Sequence, residues 1–502
     1  MIRLRASFWP LAVFLLALVP RLAGLGAKSF WLDEAFTFHR ASLAPAALVA
    51  NSFKNHHMPA FFLLLSPFTA LGSPQIWLRL PSALFGALAV MLVFLIARQG
   101  AGSLAGLLAA LVFGLSPIAL AFSQEARSYT LELCLVLIAL WGVLQLVLQP
   151  DAAADQFLSR KARVGWLAYM LGTAAALDVL GDGLSWLLAA HLIFFSLLPM
   201  TARRGAWLRN IILADLVVVV LCAPFYGLML HGQAMSPGAA FHWIPPLTWS
   251  RLWYSLGAVY LMRIPDWVTF HLMHVPTPAA FVWGIDGALL VALMLAIWHL
   301  RRHPARLAAV AIPAAFVPVL FAVISIWHPI LLPRYIFWSA APFAILVGIG
   351  AAWGLRACRP RVQFLALAVV GAVLLVNLLP YYQLQTKPRW DLAAKMLAQE
   401  VAPGDVIYLR DGYAKEILSI YFPVDKRSVL LPCVHGSLKK ALQAQSQGAR
   451  VWAVLGNAGQ TANNMSLAEF RSKISGLGTP MRIQHAGQRI VILLYAPARA
   501  GP

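Results

Sequence analysis

Apolar runs of about 17–25 residues, the length that carries a helix across a bilayer, recur along this 502-residue chain. No water-soluble core needs segments of that length, so the fold is bounded at once: a polytopic α-helical membrane protein. The composition agrees, with 61% hydrophobic and 11% charged residues and a mean hydropathy of +0.75, against about half and a quarter in soluble domains. The net charge of +21 suggests nucleic acid until its distribution is read. Residues 1–380 hold 24 Lys and Arg, 15 of them in six short clusters between apolar runs. These are Arg3/Arg5, Arg98, Arg160/Lys161/Arg163, Arg203/Arg204/Arg209, Arg301/Arg302/Arg306 and Arg356/Arg359/Arg361. Such clusters mark cytoplasmic corners and set orientation; no nucleic-acid partner is expected. The run Ser7–Leu25 after Arg3 and Arg5 also suits a signal peptide, but no small-residue cleavage pattern follows, so it reads as a retained span.

With the basic clusters as corners, about eleven spans are predicted. They cover 7–25, 75–97, 103–121, 129–148, 164–180, 183–200, 208–226, 279–299, 307–327, 335–354 and 362–380. An odd number puts the N-terminus in the cytoplasm and the tail on the far side. The chain thus divides into a membrane domain, 1–380, and a small extramembrane α/β domain, 381–502, where the pattern turns soluble. There WDLAAKMLAQEV reads as an amphipathic helix, and VIYLR, ARVWAVLG and QRIVILLYA read as strands. Two long outer loops remain, 26–74 and 227–278. The first holds two apolar stretches broken by Pro45, Pro59, Pro67 and Pro74, read as helices along the membrane surface. The second is rich in His, Trp and Pro. Cys134, Cys222, Cys358 and Cys433 suggest no disulfide framework.

Four short stretches carry chemistry. In SFWLDEAFTFHR, 29–40, Asp33 and Glu34 sit side by side just beyond the first span, in a chain with only eleven acids before residue 381. An N-cap explains Asp33 as well as chemistry does. Position favours chemistry, since a carboxylate held beside a bilayer is costly unless used or paired. It can serve as a general base or ligate a divalent metal. In NHHMPAFFLLL, 55–65, His56 and His57 are adjacent, which is not the i,i+4 spacing of a helical metal pair. In SPIALAFSQEARSYT, 116–130, Gln124, Glu125, Arg127 and Tyr129 cluster at an outer turn; either an Arg–Glu pair closes the turn or Arg127 forms an anion site. In HPILLPRYIFWSAAP, Arg334 stands alone beside Tyr335, either snorkelling or meeting a lipid phosphate. Asp178, Asp182 and Asp215 suit helix pairing or a turn as well as function. His242, His271 and His274 read as loop histidines that can also help bind a metal.

Together these stretches resemble the protein-mannosyltransferase and lipid A aminoarabinose-transferase type of membrane glycosyltransferase, in the GT-C class. RLAGLGAKSFWLDEAFTFHRAS resembles the opening of that family, and NHHMPAFFLLL its D-x-H-P-P-L-Y-Y segment. WLRLPSALFGALAV, LSPIALAFSQEARSYT and PRYIFWSAAPFAIL resemble its R-L-P-S-A-L-F-G span, its S-Q-E-A-R-x-Y turn and its P-R-Y segment. The match is close over about residues 20–130 and 330–350. It implies transfer of a sugar from a polyprenyl-phosphate donor to a glycan, lipid or protein acceptor outside the cytoplasm. By position Asp33 matches the catalytic carboxylate and Glu34 its neighbour. Arg127 and Arg334 match groups near the donor phosphate, and Asn55, His57, Glu125, Tyr129 and Tyr335 complete the expected binding set. One departure stands out: Asn55 replaces the family acid, which weakens any metal shared by two acids. No cofactor is demanded beyond that metal, for which Asp33, Glu34 and His57 are the candidates. A bacterial inner membrane, with the tail in the periplasm, follows from the family. Two rivals stay open: a transporter or flippase for a lipid-linked sugar, and an inactive relative that binds a partner through its tail.

Overall fold

The computed structural model describes residues 8–148, 160–235, 243–267, 269–433, 436–456 and 465–498. Eight helices among them are long and apolar enough to cross a membrane. One, Leu80–Gly114, folds back on itself at Ala101 and Gly102, where Gly102 takes φ +86°, a conformation cheap only for glycine. Beyond that bend the two halves pack antiparallel: a Cβ on Gly106 would touch Phe94, and one on Gly114 would touch Val90. This helix therefore supplies spans two and three, as the basic corner at Arg98 predicts. Trp9–Leu22, which is shorter, and Arg160–Val179, which is basic at its start, are helices where the sequence predicts two further spans. The rest are Tyr129–Val147, Gly183–Ser196, Arg204–Met235, Ala279–Leu300, Pro304–Ile324, Ala340–Gly354 and Pro360–Gln383.

Lipid and protein share these spans unequally. Spans four and ten are 72% and 78% buried over their apolar windows, whereas spans seven and eleven are only 22% and 17% buried. The buried spans approach their neighbours through small residues, as packing without a hydrophobic drive requires. A Cβ on Gly348 would lie 2.6 Å from the Ala105 carbonyl oxygen of span three, and one on Gly142 would lie 2.6 Å from Gly165 O of span five. No disulfide forms among the four cysteines.

The loop after the first helix holds three short α-helices rather than two: Leu32–Ala41, Pro45–Lys54 and Ala60–Leu65. Pro45 sits at the first position of the second, where its missing N–H costs nothing, so the stretch expected as one helix breaks there. At ten residues or fewer, none is long enough to cross a bilayer. In the second loop, Trp249–Tyr260 is an amphipathic helix followed by a two-stranded hairpin, β1 (Pro265–Asp266) and β2 (His271–Leu272). The C-terminal domain is an α/β sandwich. Its strands are β3 (Val406–Leu409), β4 (Leu430–Pro432), β5 (Val451–Gly456), β6 (Arg482–His485) and β7 (Ile490–Tyr495). The sheet order is β4-β3-β5-β7-β6, parallel on one side of β5 and antiparallel on the other. Helices Trp390–Glu400 and Ala414–Tyr421 cover one face; Ser437–Ser446 and Leu467–Lys473 cover the other. The first face buries two residues from far away in sequence: Leu32 and Ala35, of the helix that begins with Asp33 and Glu34, join Trp390, Ile417 and Leu418 in one core.

Candidate active site

Helix Leu32–Ala41 starts after an extended Trp31, with Asp33 and Glu34 in its first turn, where the helix dipole favours negative charge. Asp33 is not the cap; Trp31 holds that position, with no side-chain cap bond. Consecutive side chains on a helix diverge by about 100°, so the two carboxylates point to different neighbours. Glu34 is fully buried. Arg79 grips it bidentately, Nε to Oε1 at 2.7 Å and Nη2 to Oε2 at 2.8 Å. Lys387 Nζ donates to Oε2 at 3.0 Å and the Ala126 N–H to Oε1 at 3.0 Å. Burial alone would raise its pKa, but the charges of Arg79 and Lys387 with these hydrogen bonds hold it down at about 2. Arg79 spends its remaining donors on the carbonyls of Leu25, Lys28 and Ser29. Glu34 is thus the locked anchor of the loop.

Asp33 is 22% exposed and receives one side-chain bond, from Arg334 Nη1 at 2.8 Å. The same nitrogen reaches the Tyr129 hydroxyl at 3.5 Å, and the guanidinium lies 5.3 Å from the rings of both Trp31 and Trp243. Arg127, from the turn before span four, donates to Thr37 Oγ1 at 3.4 Å while its Nε is buried without a hydrogen-bond partner among the described residues. Burial would lower the pKa of both arginines, but Tyr129 and Asp33 raise them above the usual range. Glu125 is 1% exposed; neither carboxylate oxygen has a well-angled hydrogen bond among the described residues, although Lys387 Nζ stands 3.2 Å from Oε1. Burial raises its pKa, with Lys387 opposing and Glu34 assisting. Four cations, Arg79, Arg127, Arg334 and Lys387, thus meet three carboxylates, an excess suited to an anionic ligand.

The other expected residues divide. His57 is half-buried, edge-on to Phe62, and burial plus the charges of Arg127 and Arg40 hold its pKa well below the usual value, so it stands neutral beside the cluster. Tyr335 stacks on Phe321 at 6.2 Å, its pKa pushed up by burial. Asn55 lies outside: it is exposed at the end of its helix and donates back to Asn51 O at 2.8 Å. The metal candidates do not converge. Among the described residues no three His, Cys, Asp or Glu side chains form a metal set, and both oxygens of Glu34 are committed to cations. His271 and His274 are exposed on the second loop, and His242 lies outside the described residues. Asp215 accepts from Tyr169 and His191, each at 2.9 Å, which is helix pairing. Gln124 bonds the carbonyls of Arg21 and Ala23 and accepts from Tyr381, tying span one to the last span.

Two residues of the cluster escape sequence reasoning. Arg79 is visible only as a letter of the WLRLPS segment, and Lys387 lies 353 positions from Glu34 in a tail that shows no site pattern. A lone Arg at the start of an apolar run was the available signal for the first; none existed for the second.

Comparisons place the fold among known proteins. The family model described as dolichyl-phosphate-mannose-protein mannosyltransferase matches residues 56–227. No curated protein matches the chain. ArnT from Cupriavidus metallidurans in the apo state is similar at 16% identity and TM-score 0.58, over 99% of each chain. The same protein bound to undecaprenyl phosphate gives 17% and 0.56, over 99% of this chain and 100% of that one. The archaeal oligosaccharyltransferase AglB from Archaeoglobus fulgidus, in complex with an inhibitory peptide and a dolichol-phosphate, gives 12% and 0.54, over 89% of this chain and 69% of that one. The chain has the fold of these two proteins, a multi-pass helical bundle with a small sheet domain at its C-terminus, as the sequence resemblance implies.

Proposed function

We propose that this protein is an integral-membrane glycosyltransferase that moves a sugar from a polyprenyl-phosphate donor to a glycan, lipid or protein acceptor at the outer face of its membrane. The observation that carries the reading is the Asp33–Arg334 pair at 2.8 Å, with Arg127 alongside, where the first loop, the two outer turns and the tail converge. The lipid tail of such a donor lies in the bilayer, which leaves its phosphate at that level. Relatives in this fold bind undecaprenyl phosphate and dolichol-phosphate. The transporter alternative gains no observation from either the site or the comparisons.

The mechanism follows from charge. Without donor, Arg334 neutralises Asp33. A donor phosphate competes for the guanidinium and releases the carboxylate. Asp33 then takes the proton of the acceptor hydroxyl as its oxygen bonds the anomeric carbon. The bond from that carbon to the phosphate oxygen breaks, and the electron pair leaves with the polyprenyl phosphate. The leaving phosphate gains a negative charge during the step, so Arg334 and Arg127 bind the transition state better than the ground state. One displacement of this kind inverts the anomeric centre. No step runs through a metal, because the residues offered for one do not assemble. The basic corners support a cytoplasmic N-terminus and a tail on the far side, and the family resemblance supports a bacterial inner membrane with that tail in the periplasm.

The test compares wild type, a deletion strain and Asp33→Asn at matched membrane levels, reading envelope glycans and lipid-linked sugars by mass spectrometry. Loss of one sugar from a glycan, with its lipid-linked donor accumulating in both mutants, supports the transferase and identifies the sugar by mass. Full glycan in Asp33→Asn refutes it.

A further inference from the structure

Every charged group of the site but one comes from the membrane domain and its loops. The exception is Lys387, which follows the last span. It is 5% exposed, and its ammonium lies 3.0 Å from Glu34 Oε2, 3.2 Å from Glu125 Oε1 and 5.9 Å from the Trp31 ring. Glu34 does not need it, since Arg79 and the Ala126 N–H already satisfy both its oxygens. Glu125 does: among the described residues its buried carboxylate has no other ion pair.

The same tail holds the loop that carries Asp33. Leu32 and Ala35 are packed in its core. The Tyr421 hydroxyl accepts from the Phe30 N–H at 2.8 Å, Ser29 Oγ accepts from the Asp391 N–H at 3.2 Å, and His39 Nε2 meets Glu416 O at 2.8 Å. Across the second loop, Arg489 pairs bidentately with Asp266 at 2.9 and 2.6 Å. A domain that only recognised an acceptor would not need its lysine beneath Trp31, nor the catalytic loop inside its core.

We propose that the C-terminal domain is a working half of the active site, with Lys387 a positioning residue that pins Glu125 within the charged cluster. This rests on the transferase reading above. Glu125 has the Lys387 charge on one oxygen; the remaining lone pairs, unmatched among the described residues, fit hydroxyl groups of the donor sugar. Lys387 fixes the carboxylate where those hydroxyls arrive, and the domain's grip on residues 29–41 sets Asp33 against Arg334.

The test uses the full-length chain in the deletion strain, with the initial rate of glycan mass change after induction as readout and membrane level and thermal unfolding as controls. Lys387→Met is expected to slow transfer at least about ten-fold, as misplacement of one site group does, while Lys387→Arg stays within about three-fold of wild type. Glu125→Gln falls by a similar factor, and adding Lys387→Met to it costs nothing further, because the two act as a unit. Where Lys387→Met fails to accumulate, Lys387→Gln, which loses the charge but keeps a hydrogen-bond donor, is judged by the same criteria. Wild-type transfer by the charge-lacking variant while Asp33→Asn is dead overturns the inference and leaves the transferase standing. So does a double variant whose defect is the product of the single ones, or an Arg variant no better than Met. Wild-type transfer by Asp33→Asn as well removes the transferase reading itself.

Discussion

Asp33 and Glu34 are neighbours in one helical turn with the same chemistry, yet the molecule treats them oppositely. Glu34 is fully buried under four hydrogen bonds from Arg79, Lys387 and Ala126. Asp33 keeps 22% of its surface and a single bond from Arg334. A carboxylate held by four fixed donors loses too much on giving up any of them to take part in a reaction. One held by a single donor can exchange that partner for a ligand. The difference teaches how a charged cluster beside a bilayer divides its labour: one acid fixes the loop, the other remains available.

The comparison breaks first at Asp33. Asp33→Asn keeps the shape and removes the base, so transfer should fall by about 10²–10⁴-fold, the usual worth of a positioned general base. Unfolding in detergent should shift by no more than about 1 kcal/mol, the scale of a partly exposed ion pair. A large stability loss with modest loss of transfer would make Asp33 a second anchor and erase the contrast.

Arg79→Met tests the other end. It leaves the Glu34 charge buried with Lys387 as its one remaining ion-pair partner among the described residues, which should cost about 3–5 kcal/mol, as removing one partner of a buried pair does. Thermal unfolding of the detergent-solubilised protein reads that loss, and little folded protein should reach the membrane. If Arg79→Met unfolds like wild type, Glu34 is not the anchor.

Acid sharpens the same point. The folded pKa of Glu34 is depressed from 4.5 to about 2, so its stabilisation is fully present above the unfolded value and is lost as pH falls from about 5 toward 2. The shift is worth on the order of 3 kcal/mol. Glu125, raised by burial, contributes with the opposite sign, favouring the fold when protonated. Acid unfolding of Glu34→Gln, which has no carboxylate there to protonate, should therefore be flatter between pH 5 and pH 2 than that of wild type. Curves of equal slope would deny Glu34 its special place.

Much of this was legible in the sequence. Apolar length and basic corners give the helices long enough to cross a membrane, and even the reversal at Gly102 follows from Arg98. In the tail, the helix from Trp390 and strands β3, β5 and β7 are visible because their apolar runs are buried and regular. Strand β4 is missed because it is three residues long and ends in Pro432, and β6 because its Arg-Ile-Gln-His run is a polar edge. Asp33, Glu125, Arg127 and Arg334 are found because each is a rare charge beside an apolar run. The division between Asp33 and Glu34 is not legible, because Arg79 and Lys387 decide it and their pairing over 45 and 353 positions leaves no local pattern. Nor does adjacency in sequence say which of two carboxylates turns inward.

Asn55 provides the smallest effect and the finest test of that lesson. Family resemblance places an acid there, and a reading by motif alone makes the Asn a lesion in the site. The structure puts its side chain on the exposed end of helix Pro45–Lys54, donating to Asn51. Asn51 in turn accepts from Arg40 Nε at 3.0 Å, so Asn55 touches the cationic cluster only through two intermediates. Asn55→Ala should change stability by no more than about 0.5 kcal/mol, the range of ordinary surface substitutions, and leave transfer within about two-fold. Asn55→Asp should do as little, since the nearest carboxylates of the site are already matched by Arg79, Lys387 and Arg334. A gain in transfer of ten-fold or more in Asn55→Asp, measured by the same glycan mass shift, would show that the cluster lacks an acid. The count of cations over carboxylates would then describe a deficit rather than an anion site.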